Sequence, residues 1–191
     1  MIALKNNIQK EKAKPILIFD TNIFLIGINF NLIDALIYTT PEIIEEIKHY
    51  KYINKNRNIL NRIDAALENR SLILRNPSVN SFKKVDLASK ITGDNNALSI
   101  IDKELIALAL ELKEKFIEKI TLYTNDYSIQ NVCSELNIPF SPLIREGIKS
   151  KITWEVYCPF CKDIKNNEDF GKNCERCGTK LKRKRKSEVF L

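Results

Sequence analysis

Histidine is almost missing from this chain: His49 is the single one among 191 residues. Acid–base catalysis by a histidine pair is therefore excluded, and a Ser–His–Asp triad has one histidine to draw on. His49 falls near the end of a short helix, where contact with solvent or with the negative helix pole suits it better than catalysis. Glycine is scarce as well. The five glycines, Gly27, Gly93, Gly147, Gly171 and Gly178, build no phosphate-cradling loop, so a nucleotide-cofactor enzyme is not expected.

Long apolar runs are also lacking. The most apolar stretch, "IFLIGINFNLIDALIY" at 23–38, is broken by Asn29, Asn31 and Asp34, which argues against a membrane span. The opening "MIALKNNIQKEKAKP" has no h-region of secretory length. A cytoplasmic chain with no membrane partner is expected, in a compartment where thiols stay reduced and cysteines more often hold metal than form disulfides. Internal repeats are absent too.

What is present is the balance of a globular protein, 44% hydrophobic and 29% charged. The length accommodates one core and a small appendage rather than two full domains. Short unbroken apolar runs, "PILIF" at 15–19, "SLIL" at 71–74 and "ITLY" at 120–123, suit strands buried on both faces of a parallel sheet. Helical patterns at 41–50, 56–70 and 99–116 alternate with them, and 79–90 is partly helical before a turn at Gly93. This order predicts an α/β fold, a central parallel sheet flanked by helices.

Several boundaries place side chains. Thr40 and Pro41 read as the cap and first position of a helix whose apolar stripe is Ile43, Ile44 and Ile47. Glu46 lies closer to that stripe than Glu42 or Glu45, although a rotated helix would offer Glu45 instead. Ser99 caps the next long helix, with Ile101, Leu105, Leu108 and Leu112 as its expected core face, and Asp102 sits in its first turn as a capping-box partner. Ile129, Val132, Cys133 and Leu136 mark the buried side of a helix that starts after Asp126, making Cys133 a core thiol.

Four acids thus occupy comparable places, Asp20 and Asp126 just after apolar strands and Glu46 and Asp102 on helices. Ligands of open parallel sheets bind beyond the carboxyl ends of the strands, so these side chains are candidates to converge. Two such charges about 5 Å apart repel by about 3 kcal/mol at an effective dielectric near 20, so the gathering calls for protons or a cation. Hard oxygen ligands favour Mg²⁺ or Mn²⁺, and hydrolysis of a phosphodiester is the matching chemistry. Each acid alone is equally explained as a helix cap or a surface charge.

The stretches "FDTNIFL", "YTTPEIIEEIK", "TGDNNALSIIDKELIALALEL" and "LYTNDYSIQNV", followed by four cysteines, resemble the Nin-one-binding family of PIN-domain endoribonucleases in its short, archaeal-like form. The likeness spans residues 15–181 in the family's order. It implies a PIN fold and an Mg²⁺ or Mn²⁺ site made by Asp20, Glu46, Asp102 and Asp126, with Asp20, Asp102 and Asp126 as metal ligands. It further implies cleavage of precursor small-subunit rRNA at the mature 3′ end during ribosome biogenesis, leaving a 5′-phosphate and a 3′-hydroxyl, and a KH-domain assembly factor as partner. Thr21 and Asn22, and Thr124 and Asn125, are candidates to support the acids. A toxin-like PIN ribonuclease acting on tRNA or mRNA, and a catalytically silent RNA-binding assembly factor, are the alternatives.

Cys158 and Cys161, then Cys174 and Cys177, give C-x2-C-x12-C-x2-C, the spacing of a closed structural zinc site. A segment this short needs the ion for its folding energy, with Trp154, Val156, Tyr157, Phe160 and Phe170 available to cover it. The net charge is +7, and the surplus is concentrated at residues 151–191, with 11 basic against 6 acidic side chains. Lys182, Arg183, Lys184, Arg185 and Lys186 form a run expected to grip RNA as a solvated tail. The expected organisation is a nuclease domain over 1–149, a zinc ribbon over 150–181 and a basic flexible tail over 182–191, with a linker at 147–152.

Overall fold

The computed structural model describes residues 14–116, 120–143, 147–148 and 150–190; of residues 50–57 and 190 it describes the backbone alone. The opening segment, Lys149 of the expected linker and Leu191 lie outside the described residues.

Five parallel strands form the main sheet: β1 (Ile16–Phe19), β2 (Leu36–Thr39), β3 (Leu72–Leu74), β4 (Ile120–Tyr123) and β5 (Phe140–Ser141). Their spatial order is β3-β2-β1-β4-β5. The chain runs outward from β1 through β2 to β3, then crosses to β4 on the other side of β1. That crossing puts a topological switch between β1 and β4, whose pairing matches Ile18 to Leu122 and Phe19 to Tyr123. Two of these strands were not legible as such: β2 hides inside the broken apolar stretch, and β5 is two residues long.

Among the described residues, six α-helices accompany the sheet: α1 (Thr21–Leu25), α2 (Pro41–Lys48), α3 (Tyr50–Glu68), α4 (Val79–Thr92), α5 (Ile100–Lys115) and α6 (Tyr127–Glu135). Ser78 caps α4 by accepting from the Ser81 N–H, and Gly93 ends it in the left-handed region at φ 80°. Ile43, Ile44 and Ile47 of α2 are buried as their spacing predicts, and so are Ile129, Val132 and Cys133 of α6. Helix α5 departs from expectation. Every residue from Leu105 to Leu112 is buried, because α5 packs against β4, α4 and α6 together, so its core face wraps the whole helix.

The C-terminal part is a three-stranded antiparallel sheet in the order β7-β6-β8, made of β6 (Ser150–Tyr157), β7 (Ile164–Lys165) and β8 (Lys182–Phe190). The basic run is therefore not a flexible tail: it is β8, paired with β6 from Tyr157↔Lys182 to Ser150↔Phe190. Residues 150–152 are likewise strand, which shortens the linker. The cause is period-2 alternation among like charges. Arg183 lies over the Trp154 ring at 4.5 Å and Lys184 over Tyr157 at 5.1 Å, while Lys184 pairs with Glu155 at 3.1 Å.

This small sheet sits against the main domain through specific contacts. Asn131 of α6 mimics a strand neighbour for Ile152, donating to its carbonyl at 2.7 Å and accepting from its N–H at 2.8 Å. The same amide donates to Asp94 Oδ2 at 2.6 Å, and Arg183 pairs with Asp94 Oδ1 at 3.2 Å. At Gly93 a Cβ would lie 2.8 Å from the Trp154 Cβ, so the turn admits only glycine on both conformational and packing grounds.

Asn131→Ala removes three bonds at once and leaves the buried Asp94 short of a donor. It is expected to lower unfolding stability by about 2–3 kcal/mol in urea titrations. A loss under about 0.5 kcal/mol would mean that the two sheets are held together by other contacts.

Candidate active site and metal centre

Asp20 follows the last residue of β1 and is the N-cap of α1, while Asp126 follows β4 by three residues and caps α6. Because β1 and β4 are neighbours in parallel register, both carboxyls emerge at the same edge. Asp20 is only 4% exposed. Its Oδ2 accepts from the Thr124 hydroxyl at 2.8 Å, and that hydroxyl accepts from the Asp126 N–H at 3.1 Å, so Thr124 links the two acids. Asp126 Oδ1 in turn accepts from the Ser128 N–H at 2.7 Å.

Asp102 and Glu46 close the group from the helix side. The Ser99–Asp102 capping box is formed, with Ser99 N–H donating to Asp102 Oδ2 at 2.8 Å and Asp102 N–H to Ser99 Oγ at 3.1 Å. Capping and membership of the acidic group are thus compatible. The Thr21 hydroxyl donates to Glu46 Oε2 at 2.6 Å. Glu45 points elsewhere and pairs with Lys48 at 3.1 Å in solvent.

Electrostatics show that the acids feel one another. Burial, opposed by the Thr124 bond and reinforced by Asp102 and Asp126, pushes the Asp20 carboxyl up to about 6. Burial also raises Asp102, helped by the charges of Asp126 and Glu46. Among the described residues, no Lys or Arg is one of the leading influences on either carboxyl. Among the described residues, only the cysteines bring three or more ligand atoms within 4.8 Å of one another, so the carboxylates are spread more widely.

The supporting residues differ partly from expectation. Thr124 does contact Asp20, whereas the Thr21 side chain serves Glu46 and only its backbone serves Asp20. Asn125 accepts from the Leu143 N–H at 3.0 Å, and Asn22 is exposed on α1. Gln130 was missed, although "SIQN" lies inside a family-like stretch. Fully buried, it donates to the Thr124 carbonyl at 3.0 Å and accepts from the Ile148 N–H at 2.9 Å. Asp94 and Asn131, in "TGD" and "IQN", were missed for the same reason: their partners lie far away in sequence.

The four cysteines gather into one cluster, with Sγ–Sγ separations of 3.3 Å for Cys158–Cys177 and 3.7 Å for Cys161–Cys174. A tetrahedron with metal–sulfur bonds near 2.3 Å has edges of about 3.8 Å, so the thiols fit one ion. Val156 and Leu181 cover them. The other expected covers do not: Phe160 is 76% exposed, and Trp154 and Phe170 face Arg183.

The basic run also proves more committed than a free tail. Arg183, Lys184 and Arg185 pair with Asp94, Glu155 and Glu188 respectively.

The raised Asp20 pKa carries a sign that can be tested. Its neutral form suits the fold, so stability is full below the ordinary value of 3.8 and falls as pH rises through about 6. With no Mg²⁺ or Mn²⁺ in the buffer, Asp20→Asn should be about 2–3 kcal/mol more stable than the parent at pH 8. At pH 3.5 the difference should disappear, as read by chemical denaturation at both pH values; an advantage independent of pH would contradict the burial argument.

Residues 17–112 match the model of the PIN domain of ribonuclease. The chain is 34% identical over 178 residues to "Endoribonuclease Nob1" of Methanocaldococcus jannaschii, covering 93% of this chain and 82% of the relative. It is 33% identical over 177 residues to "Ribonuclease VapC1" of Thermoplasma acidophilum, covering 91% and 82%. A shorter likeness, 38% over 78 residues, covers 41% of this chain and 16% of "20S-pre-rRNA D-site endonuclease NOB1" of Saccharomyces cerevisiae. With its acids at the switch point of a parallel sheet and its cysteine cluster behind, the chain belongs to the PIN-domain endoribonuclease family, among relatives of the Nob1 and VapC kind.

Proposed function

We propose that this chain is a divalent-metal-dependent endoribonuclease that cuts precursor small-subunit rRNA to make its mature 3′ end during ribosome assembly. The observation that carries the reading is the mutually interacting acidic group at the β1–β4 edge, in a chain whose likeness to Nob1 relatives runs through the cysteine region. Asp20, Asp102 and Asp126 would hold Mg²⁺ or Mn²⁺, which supplies charge neutralisation at the scissile phosphate and acidifies a water. Glu46 Oε2 is occupied by Thr21, which leaves Oε1 to take the proton of the attacking water. Thr124 fixes Asp20, and Gln130 fixes Thr124.

The cysteine cluster holds a structural zinc ion, and the ribbon, with Lys182, Lys186 and its other basic side chains, adds affinity for RNA. The pre-ribosomal particle is the proposed setting, with a KH-domain assembly factor as partner and the cytoplasm as compartment. The VapC1 likeness leaves room for a ribonuclease with another RNA substrate, and the substrate assay separates the two.

Purified protein should cut a short RNA spanning the rRNA 3′ end when Mn²⁺ is added. Asp20→Asn and Glu46→Gln should each slow cutting by about 100-fold or more, the scale of losing a group that stabilises transition-state charge. Equal cutting of unrelated tRNA would favour the alternative substrate, and undiminished cutting by Asp20→Asn would sink the assignment of the acids.

Zinc gives a separate test. Stripping it with a strong chelator, or Cys174→Ser, should unfold the β6–β8 sheet while the parallel sheet persists, seen as a shift of Trp154 emission with most of the far-ultraviolet dichroism retained. Unchanged Trp154 emission after complete zinc loss would show that the small sheet stands on packing alone.

A further inference from the structure

Gln130 is fully buried on α6 and holds two pieces of chain that belong to different parts of the fold. Its Nε2 donates to the Thr124 carbonyl at 3.0 Å, and its Oε1 accepts from the Ile148 N–H at 2.9 Å. A carbonyl only accepts and an N–H only donates, so one orientation of the amide satisfies both. A carboxylate in its place would lack the donor, and an apolar side chain would lack both groups. The fit is close: a Cβ placed on Gly147 would lie 3.5 Å from Gln130 Oε1 and 3.2 Å from the Pro142 Cγ.

The two ends of this amide lead to different places. Thr124 is itself fully buried, its N–H donates to the Ser141 carbonyl at 3.2 Å, and its hydroxyl joins Asp20 Oδ2 to the Asp126 N–H. With the N–H and hydroxyl so engaged, the Gln130 bond at the carbonyl fixes the plane of the Thr124–Asn125 peptide, and that plane directs the chain into Asp126. Ile148, at the other end, lies shortly before Ser150, where β6 begins. One side chain therefore spans the turn that carries the acids and the chain that enters the C-terminal sheet.

We propose that Gln130 is a positioning residue for the carboxylates, and that through it the geometry of Asp20 and Asp126 depends on the seating of the C-terminal sheet. This rests on the endoribonuclease reading for what the carboxylates hold. Partners just outside a ligand set orient the ligands, and losing one lowers metal affinity or activity. Here an unbroken chain of hydrogen bonds runs from Ile148 through Gln130 and Thr124 to Asp20. The sheet itself is seated by Asn131, which holds Ile152 and Asp94.

The test uses the full chain with zinc supplied to the cysteines, so that added Mn²⁺ reports on the acids, and follows free Mn²⁺ by electron paramagnetic resonance. Gln130→Met keeps the side-chain length and should weaken Mn²⁺ binding by about 10- to 100-fold. It should lower kcat for RNA cutting and leave KM for RNA within about threefold of the parent. Gln130→Glu, whose protonated carboxyl can donate in the same place, should lose less Mn²⁺ affinity than Gln130→Met, and the gap should widen as pH falls. Asn131→Ala, which loosens the sheet, should weaken Mn²⁺ binding in the parent but add less than about twofold to the Gln130→Met loss.

Melting temperatures identify a misfolded variant; if Gln130→Met is one, Gln130→Glu carries the test through its pH dependence. Mn²⁺ affinity of folded Gln130→Met within about twofold of the parent, or equal losses for the Met and Glu variants at every pH, would overturn the proposal. So would a parent-like Asn131→Ala, fully additive losses at the two positions, or a parent that binds no Mn²⁺. The nuclease reading fails differently: Mn²⁺ binds and its affinity responds to Gln130, yet no RNA is cut.

Discussion

Everything at the proposed catalytic edge depends on the parallel pairing of β1 with β4. A parallel pair delivers both of its carboxyl ends to one side of the sheet, and the crossover that separates the strands in sequence leaves a crevice there. Asp20 and the Thr124–Asp126 turn inherit their proximity from that pairing rather than from attraction, since like charges oppose it. The energy that holds them comes from the apolar strands beneath, where Ile18 and Leu122 are fully buried. Burial then raises the cost of ionising Asp20, and hydrogen bonds from Thr124 and the Thr21 backbone recover only part of it.

The placement of the four acids was legible because each sits at a point that sequence patterns define sharply: the end of an apolar run, a helix cap, the edge of an apolar stripe. Glu46 and Glu45 differ by 100° around α2, and the isoleucine spacing was enough to favour one of them. What joins the site to its surroundings was not legible. Gln130 and Asn131 look like ordinary polar positions on a helix, and only the meeting of α6 with residues 148–152 reveals why both are buried. Strand β2 was hidden for another reason, since a four-residue strand inside a longer apolar stretch carries no period of its own.

The basic run shows how composition can conceal structure. Six cations within seven residues suggest a solvated chain, because self-repulsion is the first thing such a run implies. Alternation changes the outcome. Arg183 is drawn onto Trp154 and Asp94, Lys184 onto Tyr157 and Glu155, and the backbone completes a ladder with β6. An acidic or aromatic partner strand was the missing information, and β6 supplies both.

The return of β8 alongside β6 has a mechanical meaning. A small module joined by one strand would swivel on its hinge, whereas here an antiparallel pair runs from the cysteine cluster back to Ser150, and Asn131 clasps that pair at Ile152. Asp126 begins the helix that carries Asn131, so the small sheet and one of the carboxylates are fastened to the same element.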